Sequence, residues 1–395
     1  MSMAKIVVLG GAGAMGQITV KDLALSAERH EIVVADLDIE KGEALIKRLK
    51  KPHLQAAKLD LRDEKHLGDL IAGARVVVNS APYYFNVDVM KAALKAGSAY
   101  IDLGGLYHVT LKQLELNDAF KKAGLLAILG TGASPGTTNI MVAAAAREFD
   151  TISDIAIICA GIDNVVSDHP FEPPYMLDTM LDEYTMPAPV FENGKMVMKP
   201  PFSEEEIIDF PYPIGRQSAL PTIHSEVATL PSSYKDKGVK NVVFKLALPS
   251  DMHGKLKFLV ELGFGSKDKI ETSEGGFTPR KILAEMIASI ESVKQDADDV
   301  EILRVDVSGC KSSAETFIRM EALAKANPQM KVGGGDLNTG VPPSIIAQMI
   351  ADNQIIHKGV LPPELCIDSQ AFFNELGKRG VVVRKTAQRQ LTQKI

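Results

Sequence analysis

The sequence predicts an α/β chain, a doubly wound parallel sheet plus an α+β second domain with a mainly antiparallel sheet. Three observations predict it. Short apolar strands alternate with helical segments as far as residue 130. A glycine-rich turn, Gly11-Ala12-Gly13-Ala14-Met15-Gly16, joins the first strand to the first helix. After Gly136 the alternation stops and a run of strands takes over. Strands separated by helices form a parallel sheet covered on both faces, whereas consecutive strands favour antiparallel pairing.

Residues 5–10 (KIVVLG) are apolar, β-branched and bounded by glycine, as in a buried strand. Residues 15–27 place Ile18, Val20, Leu23 and Leu25 at helical spacing. Further strands are expected at 31–36 (EIVVAD), 54–61, 75–80 (RVVVNS), 98–102 and 125–130 (LLAILG). Helices are expected between them at 39–50, 64–72, 87–96 and 111–123. Six strands fit the Rossmann arrangement. Beyond it come a helix at 137–147 and a strand at 155–161. Residues 163–234 are rich in proline and acidic groups and read as loops and short strands, with a hairpin at 189–198 around Asn193-Gly194. Strands at 241–248, 255–263, 300–307 and 316–322 and a helix at 279–293 complete the second domain. Residues 342–351 and 370–378 are helical again. The expected division is therefore 1–135 with roughly 345–395 for a dinucleotide, and 136–344 for substrate binding and dimerisation.

Composition narrows the function classes. A net charge of −6, with 46% hydrophobic and 24% charged residues, describes a globular chain and disfavours a general nucleic-acid binder. There is no run of 18 apolar residues, so no membrane span is expected, and the N-terminus lacks a secretory pattern. Cys159, Cys310 and Cys366 are far apart, which suits free thiols in a reducing cytoplasm. No His, Cys or acidic spacing calls for a metal.

The glycine turn carries the cofactor expectation. Gly11 turns the chain, Gly13 lets the backbone approach a pyrophosphate, and Gly16 lets the helix pack on the sheet. The N–H groups of Ala14 and Met15 then open a helix whose N-terminus favours phosphate. Asp36 ends the second strand, where a carboxylate accepts ribose hydroxyls and repels a 2′-phosphate. NAD is expected over NADP, with Lys47 and Arg48 the residues able to compensate. Asp60 ends the third strand and is a candidate for the adenine edge. Asn79, Ser80, Ala81 and Pro82 end the fourth strand and Asp102, Gly104 and Gly105 the fifth, on the edge where ligands bind. Tyr83, Tyr84 and Phe85 either flank a nicotinamide or pack between domains.

At these stretches the chain resembles the saccharopine-dehydrogenase-like family. The resemblance lies in VLGGAGAMG at 8–16, VNSAPYYFN at 78–86, YIDLGG at 100–105, GTGASPGTTN at 130–139, HSEVATLP at 224–231 and GVLPPE at 359–364. Length and the last motif make it most similar to the lysine 6-dehydrogenase branch. That resemblance implies a homodimeric NAD(P)-dependent enzyme that oxidises an amino acid's side-chain amine or reduces the imine. The alternatives are a saccharopine reductase-like or carboxynorspermidine dehydrogenase-like enzyme that forms a secondary amine, and a non-catalytic NAD-binding sensor.

Such chemistry needs a proton acceptor at nitrogen and a cation for the substrate carboxylate. His224-Ser225-Glu226 is the densest polar cluster of the second domain, with His224 the candidate base and Glu226 a substrate contact. Tyr83 and Asp102 are the next candidates for catalysis. Gly105 is expected to approach the substrate, and Arg216, on an expected loop, to hold its carboxylate. Arg304 on a strand reads as an ion-paired face, His169 and His253 as loop residues, and His108 as a neighbour of the cleft.

Overall fold

The computed structural model describes residues 3–165, 169–273, 275–291 and 297–390. Among the described residues the first sheet has seven parallel strands. Their order is Gly359–Leu361, Leu126–Ile128, Ala99–Asp102, Val76–Asn79, Lys5–Leu9, Glu31–Asp36 and Leu54–Lys58. The order reverses between Val76–Asn79 and Lys5–Leu9, which creates a crevice at their carboxyl ends. The seventh strand is additional to the six expected. Gly359–Leu361 is too short to carry a period of its own and pairs along Leu126–Ile128. The expected helix at 111–123 is two, Leu106–Leu114 and Asn117–Lys122.

The helix Gly334–Ala351 begins eight residues before the expected 342 and contains Pro342 and Pro343. The prolines withdraw only the N–H groups owed to the carbonyls of Asn338 and Thr339. Packing holds the helix together, because it lies against Ala14–Ser26 along a polar ladder. Thr19 Oγ1 donates to Gly340 O at 2.7 Å, Ser344 Oγ to Asp22 Oδ2 at 2.6 Å, and Gln348 Nε2 to Ser26 Oγ at 2.9 Å. A Cβ on Gly340 would stand 2.5 Å from Ile18 Cβ, so the crossing needs glycine.

The second sheet has nine strands among the described residues and is mostly antiparallel, with Asn241–Leu248 and Thr151–Asp163 paired in parallel. The Asn193-Gly194 turn closes the hairpin of Ala188–Glu192 and Lys195–Lys199, with φ of 51° and 78°. The strand expected at 255–263 is instead part of the helix Ser250–Glu261. Its buried positions, His253 and Leu256, are three apart, which is a helical interval. Two further helices, Leu177–Thr185 and Glu226–Ser233, lie in the stretch expected to hold loops and strands. The expected helix at 279–293 is Pro279–Ser289, and residues 292 and 293 lie outside the described residues. The C-terminal segment divides. Arg379 Nε bonds Asp22 Oδ1 at 2.8 Å on the first domain, whereas Val382–Gln390 pairs with Ala314–Lys325 in the second sheet. Residues 391–395 of the expected first-domain segment lie outside the described residues.

Candidate active site

The glycine turn sits at the crevice. Gly10 takes φ of +67° and its Cα abuts the next loop, since a Cβ there would meet Ala81 N at 3.0 Å. Gly16 is the tightest position of the turn, where a Cβ would lie 2.1 Å from Gly10 O. Gly13 differs. Its φ is −69°, and a Cβ would meet only Gly10 O at 3.2 Å, so packing leaves its outer side open. The helix Ala14–Ser26 has no side-chain cap, and the N–H groups of its first turn face that opening. Ser80 Oγ is buried there without a partner among the described residues. Uncapped N–H groups and an orphaned hydroxyl at a strand-order reversal fit a dinucleotide's phosphates.

Asp36 Oδ2 accepts from Ala12 N at 2.9 Å and Oδ1 from Asp38 N at 3.1 Å, so the carboxylate borders the glycine turn. Arg48 lies near enough to Lys21 to depress its ammonium pKa after burial, which puts Arg48 alongside the helix. Asp60 holds the Arg62 guanidinium at 2.9 and 2.7 Å, and Arg62 pulls its carboxyl down to about 2. Asn79 is buried; it donates to Asn86 Oδ1 at 2.9 Å and accepts from Ala81 N at 3.3 Å, which shapes the Ser80–Pro82 loop.

Three expectations are corrected. Asp102 is fully buried and already accepts four hydrogen bonds, from Tyr100 Oη, Gln113 Nε2, Gly104 N and Gly130 N, at 2.6–2.9 Å. It braces the two glycine loops and has no free face for catalysis. Tyr83 donates to Asp182 Oδ2 at 2.8 Å, and burial followed by Asp182 pushes its phenol far above the usual range. It therefore ties the first domain to the second, where Arg280 and Lys267 also bond Asp182. Arg216 lies on the strand Arg216–Pro221, exposed and paired with Asp209 at 3.2 Å, and not on a loop facing the cleft. Arg304 is likewise occupied by Glu321 at 2.7 Å and by the Phe210 ring. His253 Nδ1 meets Tyr184 Oη at 3.2 Å and His169 Nε2 meets Ile287 O at 3.2 Å. His108 lies edge-on to Tyr83 at 6.2 Å between ring centroids.

His224 and Glu226 come together as expected of neighbours in sequence, but Glu226 is fully buried with both oxygens engaged, so it orients His224 and is not the expected substrate contact. His224 Nδ1 bonds Glu226 Oε2, and its ring stacks on Phe244 with 3.7 Å between centroids. Glu226 Oε1 accepts from Ser134 Oγ and from Thr138 Oγ1, the latter at 3.1 Å. Burial alone would lower the His224 pKa, but the Glu226 charge, its hydrogen bond and Glu183 together raise it. Burial would raise Glu226, and His224 with Ser134 holds it low instead. The Glu226 carboxylate holds Nδ1–H, so in the neutral ring Nε2 is the nitrogen left to accept a proton from a ligand. Next to them Glu183 bonds Tyr175 Oη, and burial pushes its carboxyl up to about 7. Gly105 N donates to Ser225 Oγ at 3.3 Å, so the pair abuts the carboxyl edge of the parallel sheet.

Sequence reasoning missed Glu183, Tyr175, Ser134 and Thr138. Ser134 and Thr138 lie within the 130–139 stretch that carries the family resemblance, which is the signal that could have found them. Glu183 has no such signal, because its helix lies in a stretch whose composition suggests loop. Glu364 closes the support from the other side: it accepts from Asn139 Nδ2 and Ser233 Oγ, both at 2.8 Å, which pins the far end of the Glu226–Ser233 helix.

Fold and phosphate seat are those of a dinucleotide-binding protein. Residues 6–128 match the family described as saccharopine dehydrogenase NADP binding domain, and residues 132–381 its C-terminal domain. The chain belongs to the saccharopine dehydrogenase family. It is 24% identical to the carboxyaminopropylagmatine dehydrogenase of Synechocystis sp., over 96% of each chain. It is 22% identical to the carboxynorspermidine synthase of Vibrio alginolyticus, over 94% of each. The apo saccharopine dehydrogenase (L-Glu forming) from Saccharomyces cerevisiae shares the fold, with a TM-score of 0.75 at 17% identity over 98% of this chain and 100% of that one.

Proposed function

We propose that the chain is an NAD(P)-dependent dehydrogenase that makes or breaks a secondary amine bearing a carboxylate. The observation that carries the reading is the His224–Glu226 pair, held against the carboxyl edge of the dinucleotide sheet through Ser225 and Gly105. The names of the end-to-end relatives favour this alternative over a lysine 6-dehydrogenase-like oxidation. In the condensing direction a primary amine adds to a carbonyl carbon, water leaves, and hydride reduces the C=N carbon. The bound nicotinamide supplies that hydride. His224 Nε2 accepts the ammonium proton, so that the nitrogen lone pair is free to attack. Glu183, protonated near neutrality, donates to the departing hydroxyl. Phe244 and the buried surroundings exclude bulk water from the pair.

The test is a comparison of carboxynorspermidine, saccharopine and lysine as donors with NAD and NADP, followed by nicotinamide absorbance. Turnover of a secondary amine is expected to exceed that of lysine by about tenfold or more. Turnover of lysine alone overturns the reading, and no turnover at all favours a sensor. Asp36 favours NAD, because the nearby cations Lys41 and Arg62 are paired with Asp38 and Asp60. Tighter calorimetric binding of NADPH than of NADH contradicts that preference.

A further inference from the structure

The loop that borders the phosphate seat runs past Pro82 into Tyr83–Phe85 and then into the helix Asn86–Ala96. That one segment grips both sides of the crevice. Tyr84 is 63% exposed, and Phe85 packs on the core of the first domain. Of the three aromatic residues, Tyr83 is the one that crosses the crevice, through its 2.8 Å hydrogen bond to Asp182 on the helix Leu177–Thr185. Asn86, next in the segment after Phe85, donates from Nδ2 to Gly104 O at 3.2 Å. Gly105 follows Gly104 and donates to Ser225 Oγ, and Ser225 stands in the chain between His224 and Glu226. Hydrogen bonds thus lead from the cofactor loop to Asp182 on one side and to the acid–base pair on the other.

The Tyr83–Asp182 bond can open without stranding either partner. Asp182 is 2% exposed, yet it keeps two cations when Tyr83 leaves, Arg280 Nη1 at 2.7 Å and Lys267 Nζ at 2.8 Å. Arg280 is anchored independently, with Nε donating to Gly265 O at 3.0 Å. Tyr83 is only half-buried, so its hydroxyl can turn to water. The large penalty for breaking a buried polar contact comes from the group left unpaired, and here no group is. What remains is one hydrogen bond to a charged carboxylate, which favours the joined form by about tenfold or more and still releases it.

We propose that Tyr83 is a positioning residue whose bond to Asp182 latches the crevice closed over the cofactor and holds the segment that braces Ser225 beside His224. The amine ligand then binds well to the latched form alone. The proposal rests on the amine chemistry inferred above for that second ligand only, since the hold on the cofactor does not depend on it.

Tyr83→Phe removes the hydroxyl and keeps the ring, with its edge-on contact to His108. Release of NADH, displaced by excess NAD and followed by nicotinamide fluorescence in stopped flow, is expected to be about tenfold or more faster than from the native protein. With carboxynorspermidine as substrate, KM is expected to rise by a similar factor at a kcat that does not fall, because saturating ligand restores the closed form. Asp182→Asn is expected to speed release as well and to add nothing in the Tyr83→Phe background. Additive effects place Tyr83 against the cofactor itself and overturn the latch. An unchanged release rate overturns it too, and so does an unchanged KM; a fall in kcat then assigns Tyr83 to the chemistry. A Tyr83→Phe chain that does not fold by circular dichroism makes the bond an ordinary structural tie, which also overturns the proposal. Faster release from a protein that turns over no secondary amine leaves the latch standing and removes the reaction.

Discussion

Replacing Glu226 by glutamine preserves the size of the side chain and removes its charge. Ser134 and Thr138 both donate to Oε1, so the new amide is forced to keep its oxygen there. Its Nε2 then donates to His224 Nδ1, which reverses the hydrogen bond of the native pair. The ring proton moves to Nε2, and the atom that faced the ligand as an acceptor becomes a donor. A base held in the wrong tautomer loses about 10²–10⁴ in rate, or roughly 3–5 kcal/mol of transition-state stabilisation. Removing the Glu226 charge, which holds the His224 pKa up, also lowers that pKa. The acidic limb of the kcat/KM profile should therefore shift to lower pH. Initial rates across pH in both enzymes test the two effects together. A Glu226→Gln enzyme within about twofold of the native rate, with the same acidic limb, would refute the role of the pair.

Gly16→Ala should lower melting stability by about 1–3 kcal/mol and weaken NADH binding at least about tenfold, since a Cβ 2.1 Å from Gly10 O forces two backbone segments apart. Gly68→Ala, with nothing within 4 Å, should instead be neutral or stabilising by about 0.5–1 kcal/mol; equal melting shifts for the two would contradict the assigned packing. Glu183 supplies a test on stability against pH. Its folded pKa of about 7 stands above the ordinary glutamate value of 4.5, so between the two the folded state holds a proton that the unfolded state has lost. Stability falls as pH rises between those values, by about 3 kcal/mol in full. Glu183→Gln removes that dependence, so its stability relative to the native protein should rise from about pH 4 to about pH 8 in denaturant titrations. A constant difference across that range would show that Glu183 is ionised in the folded state.

Local pattern determined the parallel sheet and the phosphate seat. Lys5–Leu9 and Glu31–Asp36 are apolar runs of strand length, and the glycine turn between strand and helix demands close backbone approach whatever surrounds it. The Asn193-Gly194 hairpin is equally local, because both residues tolerate the left-handed φ that the turn requires. His224 and Glu226 were legible as a pair because a single residue separates them in the chain. The rest depended on what each residue meets after folding. Asp102 looks like a catalytic acid at a strand end until Gln113, Gly104 and Gly130 converge on it. Tyr83 looks like a ligand contact until Asp182, 99 residues further along the chain, takes its hydroxyl. Glu183 has no local signature, since its chemistry comes from burial and from partners on distant elements. The strand Gly359–Leu361 exists because an open sheet edge offers it hydrogen bonds. Turns, helix faces and strand periods arise between residues a few positions apart, so the amino-acid order alone determines them. Burial, charge balance and free edges are properties of the assembled chain, and only the tertiary structure decides them.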